Sequence, residues 1–234
     1  RCHRAGRLFG KTAAGVGLET AIQRPGNHRQ NRLGLAQIPP KRVQKNMKPQ
    51  VSIVICAKNE EKNLPWVLKG IIRTMRKIPH EIIVVDGHST DGTTKIAKKN
   101  KCRVVFDNNR GKGDAIRVGG DTARSEIILF IDADGSHSPK DIPKLLAPII
   151  KNKFDHVSGS RMLGGSDELH KNFGQFIRLI GSAIITLTIN YKLNVKLTDC
   201  QNGFRAIKKS VFEKLDLTEN ITTIEQEMII KTIK

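Results

Sequence analysis

The sequence predicts an α/β fold, a mainly parallel, doubly wound sheet with helices on both faces in a single domain, and three observations lead there. Short runs rich in Val and Ile recur between residues 51 and 160, segments of helical periodicity separate them, and polar or acidic residues follow the runs. Strands that are apolar on both faces and spaced by helices belong to sheets covered on both sides. Ligands of such sheets bind beyond the carboxyl ends of the strands, so the residues after each run are the first candidates for a site.

Residues 1–46 hold ten Lys or Arg against one acid, Glu19, and show no sustained period of 2 or 3.6. This leader is expected to be disordered, an upstream extension outside the fold. It lacks the Ser enrichment and the apolar stretch that targeting peptides need. The fold is expected to occupy residues 47–234. Its strands are VSIVIC (51–56), EIIVVD (81–86), RVVF (103–106), EIILFID (126–132) and HVSGS (156–160). The helical segments are 61–77, 93–100, 113–122, 140–152, 171–191 and one from residue 224. Phe173, Phe176, Ile177, Ile180, Ile184 and Leu187 recur at helical spacing; a core face is the default reading, and an apolar side offered to lipid the alternative.

Lys plus Arg number 41 and Asp plus Glu 22, a net charge of 41 − 22 = +19. Such a balance raises nucleic-acid binding as a reading. Nearly half of the charge, 10 − 1 = +9, sits in the leader, and aromatic residues amount to 4%, too few for stacking platforms, so no nucleic acid is expected as a partner. Cys2, Cys56, Cys102 and Cys200 form no Cys-x-x-Cys pair and no zinc spacing, which fits a reducing, cytoplasmic compartment. The most apolar stretch, 179–189, is shorter than the roughly 20 residues of a spanning helix.

Asp132 and Asp134 end the most apolar strand with the spacing of a divalent-cation site, in which carboxylates and substrate phosphates share the ion. About 0.6 Asp-x-Asp pairs are expected by chance, so a turn with an Asp helix cap is an equal reading of the two residues alone. In VVDGHSTDGT, capping accounts for Asp91, whereas Asp86 at the strand end is suited to a nucleotide's base or ribose. Arg110-Gly111-Lys112-Gly113 precedes a helix and suits a phosphate or a plain solvated turn. Arg161 and Arg205 have the bidentate chemistry that neutralises a diphosphate, or are ordinary surface charges.

Taken in order, VSIVICAKNEEKNL, VVDGHSTDGT, RGKGDAIRVG, FIDADGSHSPKDIPKLL, VSGSRM and LTDCQNGFRAIKKSVF resemble glycosyltransferase family 2, in its group of polyprenyl-phosphate (dolichol-phosphate mannosyltransferase-like) sugar transferases. The resemblance implies a GT-A fold, a magnesium or manganese ion, and inverting transfer of a hexose such as mannose or glucose. The donor is a GDP- or UDP-sugar and the acceptor a polyprenyl phosphate, met at the inner face of a membrane. It implies a donor set of Cys56, Lys58, Glu60, Asp86, Lys112, Asp132, Ala133, Asp134, Ser136 and Arg161, with Asp132 and Asp134 on the metal. It implies a catalytic set of Asp134, Asp199, Arg205 and Glu227, the arginines on phosphates and the two other acids toward sugar or acceptor. Cys56, Lys58 and Ser136 stand where members of the group often carry Pro, Tyr and Gln. Relatives continue beyond the position of Lys234, so the chain is expected to be shortened at its C-terminus. Saccharide or small-metabolite acceptors serve other family members. Nucleotidyl transfer is the rival enzyme class, and its Gly-rich N-terminal loop is absent from this sequence.

Overall fold

Val51–Ala57 is built almost wholly of β-branched and small residues and is buried along most of its length, the signature of a central strand covered on both faces. The computed structural model describes residues 17–22, 49–161 and 173–233, with 17–22 and 173–180 described by backbone alone. Its strands are β1 (Gly17–Ile22), β2 (Val51–Ala57), β3 (His80–Asp86), β4 (Arg103–Phe106), β5 (Ile127–Asp132), β6 (His156–Ser160) and β7 (Arg205–Lys208), in the spatial order β1-β6-β7-β5-β2-β3-β4. β5, β2, β3 and β4 run parallel, while β7 is antiparallel to both β5 and β6, and β1 to β6.

The helices are α1 (Leu64–Thr74), α2 (Thr93–Lys99), α3 (Lys112–Thr122), α4 (Ile142–Ile150), α5 (Phe173–Leu193), α6 (Lys209–Phe212) and α7 (Ile224–Ile233). Pleating sends Ile53 and Ile55 to one face, where Leu64, Leu68, Ile71, Ile142 and Leu146 of α1 and α4 cover them. Val54 points to the other face, which Ala115, Ile116, Phe212, Ile224 and Met228 of α3, α6 and α7 close. The register aligns Cys56 with Asp132 and Ala57 with Asp86, so the parallel strands finish level and their following loops share one edge.

Two departures from the sequence expectation concern strands. β7 was not foreseen: four residues with only Ala206 and Ile207 apolar carry almost no periodic signal, and the two ladders on either side of them make the strand. Within the leader expected to be disordered, Gly17–Ile22 pairs with β6. GLETAI alternates apolar or β-branched residues at 18, 20 and 22, and the outer side of β6 offers unpaired backbone groups to it. The rest of the leader lies outside the described residues. The expected core face at 173–187 also needs correcting, because Ile184 and Leu187 are 59% and 66% exposed. Phe173, Phe176, Ile177 and Ile180 are described only by backbone.

Candidate active site

The loops after β2 and β3 are stitched to one another by their own polar residues. Asn59 N–H donates to Ser89 Oγ (2.9 Å), Thr90 N–H to Asn59 Oδ1 (2.9 Å), Glu60 N–H to Thr93 Oγ1 (2.8 Å) and Gly92 N–H to Glu61 Oε2 (2.7 Å). Much of the acidity seen in the sequence here therefore closes loops. Asp86, fully buried, accepts from Thr94 Oγ1 (2.7 Å) and from Ser89, so its carboxylate organises the β3 turn and does not border the cleft beside it.

That cleft, of about 330 Å³, lies where β2, β3 and β5 end and α3 begins. Cys56, Lys58, Glu60, Lys112, Asp132, Ala133 and Asp134 line it, seven of the residues expected to bind the donor. Asp107 also lines it and was missed in the sequence, although it follows β4 as Asp86 ends β3. Its Oδ1 accepts from Asn109 N–H (2.9 Å), and its main-chain oxygen lies 3.0 Å from His88 Nε2.

At the floor stands Asp132, the last residue of β5. The Lys112 ammonium meets both of its oxygens, 2.9 Å from Oδ1 and 3.1 Å from Oδ2, and His137 Nε2 stands 3.6 Å from Oδ2. Lys112 also reaches Glu225 Oε1 at 2.8 Å, from the first turn of α7. Burial opposes ionisation of Asp132, but the His137 contact and the Lys112 charge outweigh it and hold the carboxyl well below its usual range. Burial likewise works against the Lys112 charge, and Asp132 and Glu225 overcome it, leaving the amine above its usual range. Cys56 responds oppositely. Burial first and the Asp132 charge second push its thiol up to about 12, so it is an inert wall of the cleft.

Asp134 lies one turn outward and exposed; its Oδ1 accepts from Ser136 N–H at 2.9 Å, the only described role of Ser136 near the motif. Gly135 is in the left-handed region at φ 77°, and a Cβ there would stand 3.6 Å from the ring of Trp66. The described residues contain no group of three or more His, Cys, Asp or Glu that could hold a metal ion. Two carboxylates on one cleft do fit an ion that takes its remaining ligands from water and a diphosphate, and the seat of Lys112 shows that Asp132 accepts a cation there.

The glycines of the Arg110–Gly113 turn have a packing explanation that the sequence did not reveal. A Cβ on Gly113 would stand 2.2 Å from the main-chain oxygen of Glu219, and Gly113 N–H donates to Asn220 O at 2.8 Å. The 218–220 segment therefore lies directly on the turn that presents Lys112. Glu227 holds that segment, accepting from Thr218 N–H (3.0 Å), Thr218 Oγ1 (2.9 Å) and Glu219 N–H (2.9 Å), with Lys231 beside it at 2.8 Å.

The remaining expected residues sit away from the lining of the cleft. Arg161 and buried Asp199 form a two-pronged pair, Nε to Oδ2 at 2.8 Å and Nη2 to Oδ1 at 3.1 Å. Burial raises the Asp199 carboxyl, and the Arg161 contacts more than reverse this. Arg205 is 1% exposed, its guanidinium donating to the carbonyls of Asn202 and, at 2.9 Å, of Glu225. In this arrangement it braces the segment carrying Gly203 and the start of α7, and presents no charge at the surface. Glu225 and His137 were missed: neither stands at a strand end, and the folded chain brings Glu225 to Lys112 and His137 to Asp132.

The chain shares its fold with glucosyl-3-phosphoglycerate synthase of Mycobacterium tuberculosis, solved with Mn²⁺, UDP-glucose and phosphoglyceric acid, at a TM-score of 0.61 and 22% identity over 77% of this chain and 64% of that one. An uncharacterized Methanocaldococcus jannaschii protein is 34% identical over 195 residues, 78% of this chain and 75% of its own length. A dodecaprenyl-phosphate galacturonate synthase of Rhizobium johnstonii is 29% identical over 72% of this chain, which spans only 50% of that relative. A UDP-N-acetylglucosamine–dolichyl-phosphate N-acetylglucosaminyltransferase of Methanococcus voltae is 29% identical over 70% of this chain and 72% of its own length. The model of glycosyl transferase family 2 matches residues 52–216, from the first cleft strand to the approach of the loop that lies on Gly113, and the chain belongs to that family.

Proposed function

We propose that this glycosyltransferase moves a hexose from a nucleoside-diphospho-sugar to a polyprenyl or dolichyl phosphate, with inversion and with a divalent cation. The observation that carries the donor half is Asp132, a carboxylate at the floor of the cleft with both oxygens already turned to a cation. The acceptor half is supported by the two relatives named for dodecaprenyl and dolichyl phosphate. Asp132 and Asp134 would hold magnesium or manganese, which supplies neutralisation of the donor diphosphate. Lys112 and Lys58 add positive charge along the same cleft, and Asp107 and Glu60 offer acceptors for a nucleoside.

The acceptor phosphate is already an anion. Its oxygen attacks the anomeric carbon, a new C–O bond forms, and the nucleoside diphosphate departs with the electron pair of the broken bond. Positioning and charge neutralisation are then the main work of the enzyme, without a strong general base. We assign Arg161 and Asp199 to the sugar or acceptor side, and Glu227 to support of the Lys112 turn.

An apolar face suits a lipid acceptor. Ile184, Leu187 and Tyr191 of α5 are 59%, 66% and 93% exposed at a spacing of three and four residues, with Lys192 beside them. No helix among the described residues is long and apolar enough to cross a membrane; the exposed stripe of α5 is suited to contact along a lipid surface.

The test is titration with GDP and with UDP, each with and without Mn²⁺, followed by incubation with the matching labelled sugar and a polyprenyl phosphate. Metal-dependent binding of one nucleotide, lost in Asp132→Asn, and label extracted into organic solvent are expected. Label appearing only on phosphoglyceric acid or a saccharide would overturn the lipid acceptor.

A further inference from the structure

Lys112 occupies an unusual position for a residue that greets a diphosphate. Its ammonium, at the cleft, bridges two carboxylates, Asp132 at 2.9 and 3.1 Å and Glu225 at 2.8 Å. Both oxygens of Asp132 are engaged, which is where a divalent ion would also bind. Glu225 is 2% exposed and contributes its carboxylate from inside the fold, while its main-chain oxygen is fixed by Arg205. The backbone of Lys112 is fixed as well, by Gly111 and Gly113 against Asn220. Lys112 is thus tethered at both its main chain and its tip, with one anchor, Glu225, buried and the other, Asp132, on the cleft floor.

We infer that Glu225 is a positioning residue for Lys112, and that Lys112 competes with the divalent cation for Asp132. Without donor, the ammonium neutralises Asp132 and Glu225 together. When the cation and donor diphosphate arrive, Lys112 gives up Asp132, keeps Glu225 and turns its remaining N–H groups to the diphosphate. Asp132 thus remains counterbalanced in both states, and the cation binds weakly until a diphosphate is there to receive the displaced ammonium.

This rests on the metal site proposed above, so the experiment first measures Mn²⁺ affinity, with and without the nucleotide that binds, in the whole chain and in Asp132→Asn. Absence of any Asp132-dependent binding removes the site itself. Given that site, Lys112→Met is expected to bind Mn²⁺ without nucleotide about tenfold more tightly, because the competing charge is gone, and to lose most of the gain that nucleotide gives. Glu225→Gln leaves Lys112 with Asp132 alone and is expected to weaken Mn²⁺ several-fold. In the Lys112→Met background the same substitution should change Mn²⁺ affinity much less.

Unchanged or weaker Mn²⁺ binding in Lys112→Met overturns the competition. An equal effect of Glu225→Gln in both backgrounds overturns its action through Lys112. Should Lys112→Met fail to show a cooperative melt, Lys112→Arg decides. A guanidinium pairs with Asp132 through two parallel bonds and is expected to weaken Mn²⁺, and unaltered affinity would count against the proposal.

Discussion

A Cβ at Gly203 would stand 2.5 Å from Oδ2 of Asp132 and 3.1 Å from Nζ of Lys112, so this position admits nothing larger than hydrogen while those two groups meet. Gly203→Ala is expected to displace the carboxylate and weaken Mn²⁺-dependent nucleotide binding by about 10- to 100-fold, since a contact to a charged group is worth about 1.5–3 kcal/mol. Calorimetric titration checks this, and a melt should show a loss of about 1–3 kcal/mol from overpacking. Gly113→Ala has the opposite emphasis. The obstacle at 2.2 Å is a main-chain oxygen, which cannot rotate away, so we expect stability to fall by at least about 1–3 kcal/mol in urea denaturation.

The first turn of α7 carries Glu225 and Glu227, placed where the positive end of the helix dipole favours acids. Burial works against the Glu227 charge, yet Lys231, Glu219 N–H and Thr218 bring its pKa from 4.5 down to about 2. A folded-state value below the unfolded one means stability that is present above about 4.5 and lost as pH falls toward about 2. Allowing for partial solvent screening, this amounts to about 1–2 kcal/mol. Glu227→Gln should lower the urea midpoint at neutral pH and flatten its decline between pH 5 and pH 2, about the span over which the native and unfolded carboxyl differ.

The legibility of the chain divides along similar lines. The buried strands β2, β3 and β5 and the helices between them were readable from apolar runs and periodicity, as was Asp132, because a carboxylate ending such a strand needs a partner. Lys112 and the strand-end acids were visible by position. Glu225 and strand β7 were not, because their roles arise from contacts between segments far apart in sequence, and His137 was not, because its reach back over five residues to Asp132 depends on the path of the intervening loop, which no local pattern records. The glycines of the Lys112 turn were visible but ambiguous, since a turn made for a phosphate and one made for a neighbouring main chain read alike.

At the scale of the whole molecule, the cleft and the exposed apolar stripe of α5 are the two surfaces that the proposed polyprenyl-phosphate acceptor would meet together. Replacing Ile184, Leu187 and Tyr191 by Ser is expected to reduce flotation with anionic vesicles by more than about tenfold while leaving nucleotide titrations unchanged, since each buried apolar side chain adds about 1.5–3 kcal/mol. Equal flotation of the variant and the parent chain would remove α5 from any membrane contact.

The sheet order has a consequence for the timing of folding. β6 and β1 join the rest of the sheet only through β7, whose residues 205–208 follow those of every other strand in the chain. As the polypeptide is made, β2, β3, β4 and β5 can assemble as a parallel unit, but β6 has no neighbour in that unit until β7 emerges to fill the space beside β5. The closing step is thus non-local and slow. It coincides with the arrival of Gly203 and Arg205, so the floor of the cleft is completed by the same event that closes the sheet.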